Sequence, residues 1–331
     1  MDEQALGDGP LEGVTRLSGG TQNILLKFSR SGKAYVLRRP PPHLRKNSNE
    51  TMRREARVLA ALKGQDVPHP DLIAACPDED VIGACFYLME PIDGFNPAAV
   101  ERLPEPFASD KDWQWKLAMD LVDSVARLGS LDPIDIGLEG FGKLDGFLER
   151  QVPRWEAQLK SYDDMAGWPG RAGIPGVEQV GDWLSKNLPA DFQAGLLHGD
   201  YHLGNVMARH DKPELAAIVD WELATLGDPM VDLGWLMATW PIDGVLANET
   251  VGARPWLGFP EIDDLVQRYG EVSGRDMANA KWYGVFGCYK LGIILEGTYA
   301  RACAGKAPKD TGDNLHARTV GLFSRALSWI E

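Results

Sequence analysis

Between Leu11 and Glu90 the apolar positions run mostly at strand spacing. Ile24, Leu26 and Phe28 alternate with Leu25 and Lys27, and further strand-like runs follow at Ala34 to Arg38 and Phe86 to Glu90. One helix interrupts them. From about Glu50 to Lys63, the positions Met52, Glu55, Leu59 and Leu62 recur at steps of three, four and three, which predicts one helical face for all four. An acid therefore sits in an apolar stripe, where a carboxylate is costly unless it meets a cation. The best partners lie on the strand ending Arg38-Arg39; the alternative leaves Glu55 at the stripe's edge in water.

After the turn-like Pro91-Ile92-Asp93-Gly94 the pattern changes. Trp113, Leu117, Leu121, Val125 and Leu128 mark a long amphipathic helix, and helical spacing then dominates to the C-terminus. This predicts an N-terminal lobe over 1–93 and a C-terminal lobe over 94–331. Short strand signals return only between Leu196 and Val219, and the Gly- and Pro-rich segments 167–176 and 252–260 read as surface loops.

The chain has 331 residues, which at about 150 residues per domain suggests two units. With 44% hydrophobic and 25% charged residues it has ordinary globular composition. Lys and Arg total 34 against 48 Asp and Glu, a formal charge of −14, which excludes nucleic acid and anionic lipid as main partners through long-range repulsion. The four cysteines form no CxxC pair and are too few to frame the fold, so they are expected to be reduced and structural. The acidic start Met1-Asp2-Glu3-Gln4 is unlike a signal peptide, and no apolar stretch approaches the ~20 residues of a membrane span, so a cytoplasmic location is expected.

The densest polar signal is His198-Gly199-Asp200-Tyr201-His202-Leu203-Gly204-Asn205, which follows Leu196-Leu197. Ile218-Val219-Asp220-Trp221-Glu222 comes after the next strand. An Asp in a loop and an Asn five residues later can face one point if the loop curls, and a second Asp at a neighbouring strand end completes an oxygen-rich site. Hard oxygen donors with open positions suit Mg²⁺, which takes one or two carboxylates plus substrate phosphates.

His198-Gly199-Asp200 with Asn205 resembles the catalytic loop of the aminoglycoside phosphotransferase-like kinases, a branch of the protein-kinase-like fold. Ile218 to Glu222 is similar to that family's metal-binding segment, and Gly227 to Gly234 to the segment after it. Leu17-Ser18-Gly19-Gly20-Thr21-Gln22-Asn23 resembles the nucleotide loop. The resemblance runs from residue 17 to residue 234 and implies an α+β, two-lobed protein-kinase-like fold, with a small antiparallel sheet and a larger helical lobe.

It also implies roles. Asp200 would orient the acceptor hydroxyl and take its proton, and Asn205 and Asp220 would hold Mg²⁺. Gly19 and Gly20 would let backbone amides approach the phosphates of ATP, or of GTP, and Glu90 in Met89-Glu90-Pro91 would sit at the hinge where main-chain groups meet a purine. Where protein kinases carry Lys on the third strand, this chain offers Arg38, able to pair with Glu55 and reach phosphate with a planar fork. Val36-Leu37-Arg38-Arg39-Pro40-Pro41-Pro42 and residues 198–205 are similar to a subgroup found next to acyl-CoA dehydrogenase domains, which points toward a hydroxylated acyl or other small-molecule acceptor. The expected activity is Mg²⁺-dependent transfer of the γ-phosphoryl group to a small-molecule hydroxyl; the oligomeric state is left open.

Other residues carry two readings each. Asp228 before Pro229 fits a helix cap, and the resemblance assigns Asp232 to bracing the catalytic loop. His202 is placed either on a phosphate or in a loop hydrogen bond, and Glu296 either on the acceptor or as a core carboxylate satisfied by Tyr or Trp. Two rival functions stand beside the kinase: a catalytically silent nucleotide- or metabolite-binding module, and a zinc hydrolase using His198, Asp200 and His202.

Overall fold

The structure, a computed structural model, describes residues 1–17, 23–241 and 257–331. Gly19, Gly20 and part of the 252–260 segment lie outside the described residues. The N-terminal strands β1 (Glu12–Arg16), β2 (Ile24–Arg30), β3 (Lys33–Arg39), β4 (Leu72–Cys76) and β5 (Phe86–Met89) form one antiparallel sheet in the order β1-β2-β3-β5-β4. Ser31 and Gly32 both take positive φ, so a two-residue turn matching the strand twist joins β2 to β3 and fixes Arg30 opposite Lys33. That register places Arg38 across from Leu25 on one side and Tyr87 on the other.

Helix α1 (Ser48–Leu62) packs on β4 and β5 through the predicted stripe. Met52, Leu59 and Leu62 are buried, and Glu55 is 0% exposed, which rules out the edge position.

The rest of the chain is mainly helical. Helix α2 (Lys111–Ser130) starts at Asp110, whose carboxylate accepts the N–H groups of Asp112 and Trp113, a cap that satisfies two orphan donors. Helices α3 (Gln151–Lys160) and α4 (Val177–Lys186) precede four short strands: β6 (Gly195–Leu197), β7 (Val206–Ala208), β8 (Leu215–Ile218) and β9 (Thr225–Gly227). These pair as β6 with β9 and β7 with β8. Helices α5 (Met230–Thr239), α6 (Ile262–Ser273), α7 (Ala280–Cys303) and α8 (Lys309–Ile330) complete the lobe. Helix α7 lies so close to α5 that a Cβ on Gly234 would fall 2.1 Å from the Tyr283 carbonyl oxygen, which only glycine accommodates. All four cysteines are free. No helix among the described residues is long and apolar enough to cross a membrane.

Candidate active site

Strand β6 ends at Leu197, so His198, Gly199 and Asp200 emerge at its C-terminal end. Gly199 turns the chain at φ +85, where a Cβ would meet the Leu223 carbonyl oxygen at 2.5 Å. Buried Asp232 fixes this loop from α5, accepting the N–H groups of His198 (2.6 Å) and Gly199 (2.8 Å). Asp228 caps the same helix, accepting from the Met230 N–H and the Tyr283 hydroxyl, so it is structural.

The β7–β8 ladder assembles the oxygen-rich site. Val206 pairs with Ile218, which sets Asn205, just before β7, beside Asp220, just after β8; the Val219 N–H donates to the Asn205 carbonyl at 2.9 Å. The Asn205 amide nitrogen donates to Asp200, at 2.9 Å to its carbonyl and 3.0 Å to Oδ2. The Asn205 side-chain oxygen takes no part in these bonds. Asp220 is held in the left-handed region at φ 68, an unusual cost for a non-glycine residue and one that clusters at functional sites.

Arg38 ties this site to the sheet. Its Nε lies 2.8 Å from Glu55 Oε2 and its Nη2 2.6 Å from Asp220 Oδ1, while the Tyr87 hydroxyl donates to Glu55 Oε2 at 2.8 Å. Burial pushes the Glu55 carboxyl up to about 7, against the opposing pull of Arg38 and Tyr87. Arg38 itself is raised above its ordinary range: burial works against its charge, and Glu55, Tyr87 and Asp220 outweigh it. The guanidinium spans both acids as a fork, which an ammonium could not do from the same position.

Two cavities lie on either side of the Asp200–Asn205 contact, the first lined by Asn205 and the second by Asp200. One, of about 420 Å³, lies beneath the sheet and is lined by Val36, Arg38, Met89, Glu90, Asn205 and Asp220 among others. Along its rim the Glu90 N–H is spent on the Asp71 carbonyl at 3.0 Å. Since Pro91 has no N–H, the Glu90 carbonyl and the Ile92 N–H are the main-chain groups this edge can offer.

The second cavity, of about 450 Å³, is walled by α3, α5 and α7 and contains Asp200, His202, Arg154 and Lys290. Burial pushes the Asp200 carboxyl up, but the His202 hydrogen bond and the charges of His202, His198 and Lys290 carry it down to about 2. These neighbours favour the ionised form of Asp200.

His202 turns toward this second cavity. Its Nδ1 accepts the Gly204 N–H at 2.9 Å, which leaves the proton on Nε2, 3.5 Å from Asp200 Oδ1. Two expectations are corrected. Glu296 does not face an acceptor: it is 0% exposed, with Oε1 accepting from Trp168 at 2.7 Å and Oε2 lying 2.8 Å from His316 Nδ1. The zinc reading also falls, because both His198 nitrogens are taken, Nε2 by the Val219 carbonyl (2.9 Å) and Nδ1 by the Asp200 N–H (3.3 Å). Among the described residues no group of three His, Cys, Asp or Glu side chains is arranged to hold a metal.

Sequence reasoning missed Lys290 and Arg154. The available signal was a cation, Lys290, inside the apolar run of α7.

Comparison with known proteins gives a family model, relatives and solved structures. The model of a family described as "Phosphotransferase enzyme family" matches residues 13–282. Mouse acyl-CoA dehydrogenase family member 10 is 28% identical over 328 residues, covering 97% of this chain and 29% of its own length. A crystal structure from Ralstonia eutropha, assigned to the aminoglycoside phosphotransferases, superposes with a TM-score of 0.78 at 28% identity, covering 97% of this chain and 94% of that one. A thermostable aminoglycoside phosphotransferase mutant, in ternary complex with ADP and hygromycin B, shares the fold with a TM-score of 0.62 at 15% identity, covering 96% of this chain and 95% of that one. The chain spans 29% to 40% of the length of the acyl-CoA dehydrogenase relatives it matches.

Proposed function

The chain belongs to the phosphotransferase enzyme family, and from that premise we propose that it is a Mg²⁺-dependent kinase moving the γ-phosphoryl group of ATP or GTP to the hydroxyl of a small molecule. The observation that carries this reading is the contact between Asp200, on the lining of one cavity, and Asn205, which lines the other together with Asp220.

In this reading the nucleotide occupies the cavity beneath the sheet, with its base at the Glu90–Ile92 edge and its phosphates toward Arg38. Gly19 and Gly20, outside the described residues, are assigned to the phosphate loop from the sequence resemblance alone. Nη1 of Arg38 is the arm that neither acid takes among the described residues, and it is free to meet a phosphate oxygen. The Asn205 side-chain oxygen and the Asp220 carboxylate are hard donors that fit Mg²⁺ and would hold it. When bound, the cation supplies neutralisation of the charge on the phosphate oxygens.

Asp200 accepts a hydrogen bond from the acceptor hydroxyl and aims its oxygen at the γ-phosphorus. As the new O–P bond forms and the bond to the β-phosphate oxygen breaks, the hydroxyl grows acidic and its proton passes to the Asp200 carboxylate. A carboxylate with a pKa of about 2 takes that proton late, so its larger contribution is orientation. His202 steadies Asp200 rather than touching phosphate. The lobe boundary near residue 93 is part of the proposal: Phe95 already pairs with Ala208, donating at 2.9 Å and accepting at 2.7 Å.

The test is the thermal midpoint of the full chain with ATP and GTP, each with and without Mg²⁺, followed by ADP or GDP release. A ligand at 100 times its Kd stabilises by about 2.7 kcal/mol, well within reach of the measurement. A Mg²⁺-dependent shift with nucleoside diphosphate release supports the kinase. A shift without turnover of any hydroxylated compound favours the silent module, and no shift with either nucleotide overturns the kinase and leaves a metabolite-binding silent module.

A further inference from the structure

The second cavity is lined by two cations, Lys290 and Arg154. Lys290 projects from α7, and its ammonium donates to the Gly199 carbonyl at 3.2 Å, with the Trp235 ring centroid 4.2 Å away. Arg154 projects from α3, its guanidinium carbon 5.4 Å from the Trp155 ring centroid. Among the described residues neither group has a carboxylate within ion-pair distance. Burial pushes Lys290 down to about 8, against the opposing pull of Asp232 and Asp200, with a smaller push in the same direction from Arg154.

The acids on the same lining belong to the other end. Asp200 faces the reacting hydroxyl, and Glu222 is neighbour to Asp220 and takes a hydrogen bond from the Asn23 amide at 3.4 Å. Two like charges facing one cavity beside indole rings, neither held in an ion pair among the described residues, leave their donors open to an entering anion. The remaining walls, with Leu291 and Ile294, are apolar.

We propose that Lys290 and Arg154 determine acceptor specificity by binding an anionic oxygen group, so that the substrate is a hydroxylated anion with an apolar segment rather than a polycationic sugar. This rests on the phosphoryl-transfer reading for its chemistry, though not for its binding. Carboxylate and phosphate ester share the required oxygens, and the guanidinium fork suits either.

The experiment follows ADP release by the full chain with ATP and Mg²⁺, using probes matched except in charge. They are hydroxyhexanoates against their methyl esters, glycerol 3-phosphate against glycerol, and kanamycin as the polycation. The charged member of a pair should have a KM about tenfold lower, the worth of one charge-assisted hydrogen bond. Preference for the carboxylate pair over the phosphate pair, or the reverse, names the source of the anion. Lys290→Met and Arg154→Met should each collapse the preference, while Lys290→Arg keeps part of it. Arg154 is exposed, so its replacement answers the question even if the Lys290 variant folds poorly. Equal KM values within every pair, or kanamycin as the best acceptor, overturn the proposal.

If no probe is turned over, calorimetric titration of the same probes decides. Binding of the anions alone supports the pocket, and binding of none overturns it. The nucleotide-dependent midpoint shift judges the kinase reading separately, so the two failures are distinguishable.

Discussion

At the nucleotide end of the cleft, Arg38 is clasped between Glu55 and Asp220 with Tyr87 closing the network. At the acceptor end, Lys290 and Arg154 meet indole faces and a backbone carbonyl. The first region satisfies its charges internally and can hold its shape before any ligand arrives. The second holds Lys290, whose charge burial disfavours, and the exposed Arg154, neither in an ion pair among the described residues, and so keeps donors open to an incoming anion. Between them sits Asp200, held ionised by neighbours from the acceptor side.

The most severe break in that arrangement is Asp200→Asn, which keeps the shape and removes the charge. We expect kcat to fall by about 10² to 10⁴-fold. Mg²⁺-nucleotide affinity, measured by calorimetry, should change little, since Asp200 lines the acceptor cavity and not the nucleotide cavity. An unaltered kcat would remove Asp200 from the mechanism. Next in size is Glu55→Ala, which strips Arg38 of its buried partner. Breaking such a pair costs about 3 kcal/mol, to be read from urea unfolding. A loss of stability no larger than for an exposed acid of α1, such as Glu50, would mean the network is not braced as the distances suggest.

The difference between the regions also explains what could be read from the sequence. Glu55 was legible because Met52, Leu59 and Leu62 lie within one short periodic segment, and an acid inside it demands a cation. Asn205 and Asp220 were legible because one hairpin joins them. The acceptor cavity draws Arg154, Asp200 and Lys290 from α3, the loop after β6, and α7. No local spacing connects those segments, and only tertiary packing brings them together.

Glu296 shows the same limit from the other side. Its stripe implied burial with a Tyr or Trp partner as one of two readings, and Trp168 supplies that partner, but nothing in the spacing showed that His316 would occupy the second oxygen. Strand β9 was missed because Thr225, Leu226 and Gly227 are too few to display a period.

A sharper probe of the nucleotide end is Arg38→Lys. A single ammonium cannot reproduce the fork that reaches Glu55 through Nε and Asp220 through Nη2. Nucleotide binding in the presence of Mg²⁺ should weaken by about tenfold, with the acid-over-ester preference of the acceptor untouched. Parallel loss of both would show that the two ends are one coupled unit, and the comparison would have to be redrawn.

The smallest expected effect concerns Lys290 and pH. Burial lowers its pKa from the ordinary 10.5 to about 8, opposed by Asp232 and Asp200 and reinforced by Arg154. The folded chain therefore releases this proton at lower pH than the unfolded chain does. Between the two values the unfolded state binds more protons, so the Lys290 contribution makes stability rise with pH through that window. Relative to Lys290→Met, the wild-type chain should gain about 1 kcal/mol between pH 8 and pH 9 in urea unfolding. An anionic probe seated beside the ammonium would favour its charged form and flatten this gain, whereas a neutral ester would leave the slope alone. A slope equally indifferent to both probes would place the anion elsewhere, and the contrast between a satisfied nucleotide end and a waiting acceptor end would lose its basis.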